Sequence, residues 1–246
     1  MGRRFLAIAV VGATFLGGDV SGHAQPLRTV TLQEVKPLIV KRERVRRPGT
    51  QPGTLIATVR AGRTVAVRTA PGGSVVAHLS SRTEFGSPRT FAAAPAANGL
   101  RVVTTELPNG RLGWVAGAGA LRLSRSAFTL NVDLSARVIR VRRGTRVRRT
   151  IHVAVGAAAT ATPVGRFAIT DKLAGAGYSA VYGCCILALS GHQTNLPPGW
   201  TGGDRLAIHG GSTAGAISTG CLHAAEADLR YLMRAIPLGA QVTIHP

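Results

Sequence analysis

"FTLNVDLSARVIRVRRGTRVRRTIHVAVG", residues 128–156, decides the fold. Ile139 and Val141 alternate with arginines up to Arg143-Gly144, and Val147, Ile151, Val153 and Val155 resume the alternation beyond it. A repeat of two is the side-chain period of a strand, whose successive residues face opposite sides. Two such runs around a glycine predict a β-hairpin with an arginine-rich outer face. Further on, in "TATPVGRFAI" (160–169), Pro163 fixes one turn torsion and Gly165 supplies a positive φ before the strand that Phe167 and Ile169 begin. "DRLAIHG" (204–210) reads as a buried strand ending at His209-Gly210. Leu229, Leu232, Met233 and Ile236 then recur at helical spacing, with Glu226 and Asp228 favouring the helix dipole and Pro237 and Gly239 as stops. "QVTI" (241–244) closes as a strand. Between these elements, Asp171 to Trp200 reads as an irregular loop covering a site, with His192 as an exposed loop residue.

Upstream, Thr54 to Leu123 is a series of short β-like runs, "TLIATVR", "RTVAVRTA", "SVVAHLS", "LRVVTTEL" and "RLGWVAG", divided by "PGG" and "PNG" turns. That spacing predicts a small barrel. Val35 to Gly53 carries six basic residues against Glu43, with three prolines and no clean period; it reads as a cationic linker, either a wall contact or a solvated spacer. Arg3 and Arg4 precede the apolar run "FLAIAVVGATFLGG", and Gly22 and Ala24 suit cleavage after Ala24, the pattern of a secretory signal peptide. A membrane anchor needs roughly 20 apolar residues, and Gly17, Gly18 and Asp19 break the run. The expected plan is a signal peptide at 1–24, a basic Pro-containing linker at 25–53, the first β domain at 54–123 and a second at 124–246. It implies a secreted protein of the cell wall or periplasm with no stable membrane span after cleavage.

The formal charge is +20, which draws the chain to polyanions. No zinc-finger spacing or aromatic-rich RNA-binding signature is present, so nucleic acid is not the expected partner. Anionic wall polymers and stem-peptide carboxylates are. A codon bias explains arginine over lysine, but not the shortage of Asp and Glu.

Three cysteines, Cys184, Cys185 and Cys221, make no disulfide framework. Adjacent cysteines seldom bridge, since a disulfide wants Cα atoms roughly 4.4 to 6.8 Å apart and neighbours stand ~3.8 Å apart. Cys184 and Cys185 are therefore expected in core packing, with a bridge or a metal site as the alternatives. Cys221 lies in "HGGSTAGAISTGCLHAAEADL" (209–229), between His209 and His223. A thiol so placed is a nucleophile, a zinc ligand or an inert core residue.

Residues 128–244 resemble the catalytic domain of the YkuD-like L,D-transpeptidases. "NVDLSARVIRV" is similar to the family's opening strand, "TPVGRF" to its turn, "AIHG" with "STGC" to its signature and "PLGAQVTI" to its closing strand. Arg68 with Pro71, and Gly113, Trp114 and Val115, are similar to marks of bacterial SH3-like domains. The resemblance implies a mainly β protein, an SH3-like barrel followed by a YkuD-like β-sandwich with a helix after the catalytic cysteine. It implies acyl transfer on peptidoglycan stems: Cys221 as nucleophile, His209 as base, Gly220 baring backbone amides for an oxyanion hole, Ser218 and Thr219 lining that turn, and Gly210 and His223 facing substrate. No cofactor or metal is called for. The product would be a 3→3 cross-link, or a trimmed stem if water is the acceptor.

A free thiol of pKa ~8.5 is only a few per cent ionised near neutrality, and a neighbouring imidazole is expected to lower that value. No acidic third member stands out beyond Asp204, so a backbone carbonyl is expected to orient His209. Departures from the family pattern are a short spacing from His209 to Cys221, Thr219 before Gly220, and His223 where Arg or Asn is common; His223 is then either a pH-conditional grip on a stem carboxylate or a structural residue pointing into the helix packing. Two rivals stay open: a zinc site of His209, Cys221 and His223 with His192 or Cys185, and a binding-only wall protein. Residues 25–123 are expected to hold the wall and to be dispensable for chemistry on small soluble tetrapeptides.

Overall fold

The computed structural model describes residues 53–116 and 118–246. The signal peptide expected at 1–24 and the linker expected at 25–53, Gly53 apart, lie outside the described residues. Among the described residues, no helix is long and apolar enough to cross a membrane.

Seven strands come first: β1 (Thr54–Val59), β2 (Thr64–Arg68), β3 (Val75–Ser80), β4 (Thr90–Ala96), β5 (Gly99–Val102), β6 (Gly113–Ala116) and β7 (Leu121–Ser126). They form one sheet in the order β3-β2-β6-β5-β4-β1-β7, antiparallel throughout. Its inward residues, among them Val65, Val67, Phe91, Val102 and Val115, build a core of their own. Arg68 donates to the Gly73 carbonyl at 2.8 Å and braces the turn that begins at Pro71. Gly113 lets β6 approach β2, since a Cβ there would stand 2.6 Å from Val67 Cγ1.

The second sheet takes β8 (Phe128–Asp133), β9 (Val138–Arg143), β10 (Arg146–Gly156), β11 (Gly165–Ala174), β12 (Cys185–His192), β13 (Arg205–His209), β14 (Ala216–Ser218), β15 (Leu222–Ala224) and β16 (Gln241–His245). Their order is β14-β10-β15-β13-β12-β11-β16-β8-β9, and β9 pairs back onto β10, so that eight strands close on themselves. Length makes this possible: β10 spends Arg146 to His152 on β9, Val153 and Ala154 on β15, and Val155 and Gly156 on β14. Leu130, Ile139, Ile151, Phe167, Leu187 and Ile208 fill the interior. The helix α1 (Glu226–Ala235) adds Leu229 and Leu232.

Three expectations need correction. The second domain is not the sandwich expected for it but a barrel, because β10 is long enough to pair with β9 as well as β15. Asp171 to Trp200 is not one irregular loop: β11 runs to Ala174, and Cys185 to Ser190 are all buried in β12, a central strand whose continuous apolar run lacks the alternation of a half-exposed one. The hairpin of β9 and β10 exposes its arginines, but Val147 is exposed too. The ladder shifts between Val147 and Arg149, and an extra residue on one strand reverses the facing of what precedes it.

The two sheets also meet. The Thr83 hydroxyl donates to Asp171 Oδ1, which is wholly buried. Asn109 exchanges hydrogen bonds with the backbone of His192 at 2.6 and 2.9 Å. Gly239, at φ +77°, lets Ile56 close against it, since a Cβ would stand 2.7 Å from Ile56 Cγ2. An N-terminal module that is merely tethered would show no such buried polar contact.

Candidate active site

β13 and β15 run parallel, with His209 opposite His223. Strand ends on a rigid sheet fix side chains well, and here they deliver both imidazoles to one cleft of about 550 Å³ that Cys221 also lines. The His209 ring is tightly held. His223 tilts against it with ring centres 4.6 Å apart, Tyr182 meets it edge-on at 4.8 Å, and the Gly210 carbonyl lies 2.7 Å from Nδ1. A carbonyl only accepts, so Nδ1 carries the hydrogen and Nε2 keeps its lone pair for the cleft. The contact with Gly210 is the kind of backbone orienter that the absence of an acidic partner calls for.

Electrostatics favour a neutral resting pair. Burial, helped by the neighbouring His223, lowers the His209 pKa from 6.5 to about 4. Burial pushes the Cys221 thiol up to about 11, opposed by a backbone hydrogen bond at Ala207. Burial, and no imidazole, sets the thiol in this state, so the lowering expected from a neighbouring imidazole is not seen. Cys221 Sγ points at the Arg205 carbonyl, 4.0 Å away.

The turn before Cys221 is built from side chains. Ser218 Oγ donates to the Cys221 carbonyl at 2.6 Å and accepts from the Gly220 amide at 3.1 Å. The Gly220 N–H is thereby occupied by Ser218 and is not bared for the oxyanion role expected around Gly220. Gly220 itself has φ +106°. Gln193, which the sequence reading passed over, completes the turn: its Nε2 reaches the carbonyls of Thr160, Ala161 and Thr219 at 2.9, 3.2 and 3.2 Å. It stands next to His192 in a stretch read as loop, and no local pattern marks it as buried.

Ser218, Thr219 and His223 line the cleft, whereas Gly210 is buried and Gly211 takes the lining place expected for it. Burial also lowers the His223 pKa, with a hydrogen bond to the Ser212 carbonyl opposing. That bond, at 3.2 Å, commits the Nδ1 hydrogen, so neutral His223 offers the cleft an acceptor and no donor. A donor toward the cleft appears at Nε2 only on protonation, which the lowered pKa moves to more acidic pH than for a free imidazole.

His192 is not an exposed loop residue. Its Nδ1 meets Asp204 at 2.9 Å and its Nε2 the Thr105 carbonyl of the first sheet at 2.8 Å. Cys184 and Cys185 are bonded to each other, against the expectation of free core thiols, and Cys221 is the free cysteine. These partners remove His192 and Cys185 from the zinc reading, and among the described residues no group of three or more His, Cys, Asp or Glu is placed to hold a metal.

A thiol, an imidazole with an open Nε2 and a glycine turn in one cleft form a constellation for nucleophilic acyl transfer, and the same segment carries a family match. Residues 127–244 match the YkuD family, the L,D-transpeptidase catalytic domain. A Bacillus licheniformis protein named "Putative L,D-transpeptidase YkuD" is 29% identical to the chain over 124 residues, 48% of the chain and 66% of that protein. Among solved structures, an L,D-transpeptidase from Mycobacterium smegmatis is similar at 14% identity and a TM-score of 0.40, covering 63% of this chain and 81% of that one. An L,D-transpeptidase from Stackebrandtia nassauensis follows at 22% and 0.35, covering 50% and 57%. The YkuD segment thus begins where the second sheet begins and takes in His209 and Cys221.

Proposed function

We propose that the chain is a cysteine-dependent L,D-transpeptidase of the cell wall or periplasm that forms 3→3 peptidoglycan cross-links. The observation that carries this reading is that one cleft is lined both by the free thiol of Cys221 and by a neutral His209 whose Nδ1–H is tied to Gly210.

As a stem peptide binds, His209 Nε2 takes the thiol proton while Sγ attacks the carbonyl of the third, L-configured residue. The oxyanion is held by backbone N–H groups of the turn, with the Cys221 amide in place of the occupied Gly220 amide; one such donor is worth roughly 2.7 to 4 kcal/mol. His209 returns its proton to the departing D-alanine amine, leaving a thioester on Cys221. An amine of a second stem attacks the thioester, its proton passes to His209 and back to sulfur, and the amide forms. Water in place of the amine gives L,D-carboxypeptidase activity at the same site. A neutral pair suits this order of events, since the proton moves only when a carbonyl is present to take the sulfur.

The seven-stranded sheet is read as the SH3-like module that contacts the wall. The reading is tested by incubating the protein with a carbapenem and analysing it by mass spectrometry. A single adduct on Cys221, absent in Cys221→Ala, is expected. Release of D-alanine from tetrapeptide stems by Cys221→Ala would overturn the assignment.

A further inference from the structure

The cleft that holds Cys221 and His209 is lined in part by the first sheet. Phe85, from the loop between β3 and β4, stands in its wall with Tyr178, Val181, Trp200 and Ile217. All five are exposed large apolar side chains, gathered around one opening. Such a cluster is unfavourable in water and marks a place where apolar surface is to be covered.

The loop that presents Phe85 is tightly ordered. Thr83 and Ser87 exchange backbone and side-chain hydrogen bonds, Gly86 N–H donates to the Thr83 carbonyl, and Arg82 reaches the Gly86 carbonyl at 2.7 Å. The two residues before the aromatic are anchored in the second sheet as well, Thr83 through the buried Asp171 and Glu84 through an ion pair with Arg205. Arg205 joins the two halves of the site. Its guanidinium lies 5.9 Å from the Phe85 ring centre, and its carbonyl faces the Cys221 sulfur. Tyr178 meets the same ring edge-on at 6.2 Å. A rigid loop holding an aromatic that remains 37% exposed beside a nucleophile is a pre-organised recognition element, because little ordering cost is left for binding.

Building on the transpeptidase reading, we propose that Phe85 is a specificity-determining residue, forming an apolar wall for the side chain of the residue whose carbonyl Cys221 attacks. The aromatic faces of this wall donate no hydrogen bonds to a peptide backbone, and the Arg205 charge is already met by Glu84. A long unbranched aliphatic stem is the ligand chemistry that such a surface covers. The first sheet is then part of the enzyme's substrate reading, and not only a wall anchor.

The test uses two soluble tetrapeptides that end in D-alanine and differ at the third residue, L-norleucine or L-alanine. The full chain is expected to prefer the norleucine peptide. Phe85→Ala should reduce that preference about tenfold, the worth of roughly two buried methylenes. The loss should sit in KM, with kcat within about twofold, and Phe85→Leu should keep most of the preference. An unchanged preference in Phe85→Ala, or an equal loss on both peptides, overturns the inference while leaving the transpeptidase reading intact. Turnover of neither peptide by the unaltered protein overturns that reading and the inference with it.

Discussion

Gln193 and Gly220 share a space that leaves no room for another carbon: a Cβ on Gly220 would stand 2.1 Å from Gln193 Nε2. The same nitrogen ties down the Thr219 carbonyl, so the turn that aims Cys221 depends on both residues.

Gly220→Ala is therefore expected to cost stability and activity together. The positive φ alone is worth roughly 1 to 3 kcal/mol when a side chain is forced into it, and the clash displaces Gln193. Combining it with Gln193→Ala removes the clash but not the φ cost, so the double variant should lose less than the sum of the singles. Chemical denaturation and the rate of Cys221 acylation measure both effects. Strict additivity would show that Gln193 does not support the turn.

The thiol gives a pH signature. Alkylation by iodoacetamide proceeds through the thiolate, and with the Cys221 pKa near 11 the rate should rise about tenfold per pH unit from 7 to 10. A plateau near neutrality would mean an ion pair already formed with His209. Acylation by a stem peptide should instead be flat over that range, because it draws on neutral His209.

Acid stability should follow His209. Its folded pKa of about 4 lies below the unfolded 6.5, so the unfolded state binds the proton more readily. The stability from keeping this ring neutral is full above about pH 6.5 and is lost as pH falls through 4. The depressed His223 works in the same direction. The unfolding midpoint should drop over this window, and His209→Gln should shrink the drop. An unchanged profile would place the acid sensitivity elsewhere.

Thr83→Val keeps the shape of the side chain and removes its hydrogen bond to Asp171, together with the acceptor for the Ser87 amide. Asp171 Oδ2 has no other partner, so the variant leaves a buried carboxylate without a donor on either oxygen, a loss of roughly 1 to 3 kcal/mol or more. Adding Asp171→Leu should recover part of it. If Thr83→Val unfolds at the same denaturant concentration as the parent, the contact does not hold the sheets together. The same contact revises the expectation that residues 25–123 can be removed without harm to chemistry. Deletion would uncover Asp171 and take Phe85 out of the cleft wall.

What was legible in the sequence were features written in short range. The alternation around Ile139 and Val141 marks a strand and its inner face, and the spacing of Gly220, Cys221 and His209 marks a candidate site. What was not legible depends on distant partners. Val147 faces out because of a bulge whose register is set by pairing with β9. The run from Cys185 to Ser190 looks like loop because both of its faces are covered by other elements, which erases the alternation. Gln193 is meaningful only beside Thr160 and Thr219, residues 33 and 26 positions away. The thiol pKa, too, is set by burial that no local spacing encodes.

The closure of the second sheet by β9 on β10 bears on how the protein behaves in company. A sheet normally ends in strands whose free amides and carbonyls invite another chain to pair. Here eight strands have a neighbour on both sides, and only the three residues of β14 hang outside the ring. A chain with a charge of +20 is drawn to polyanionic surfaces, where its own copies crowd together. The closed ring denies those copies a template at the second sheet, which leaves the outer strands β3 and β7 of the first sheet as the edges open to pairing.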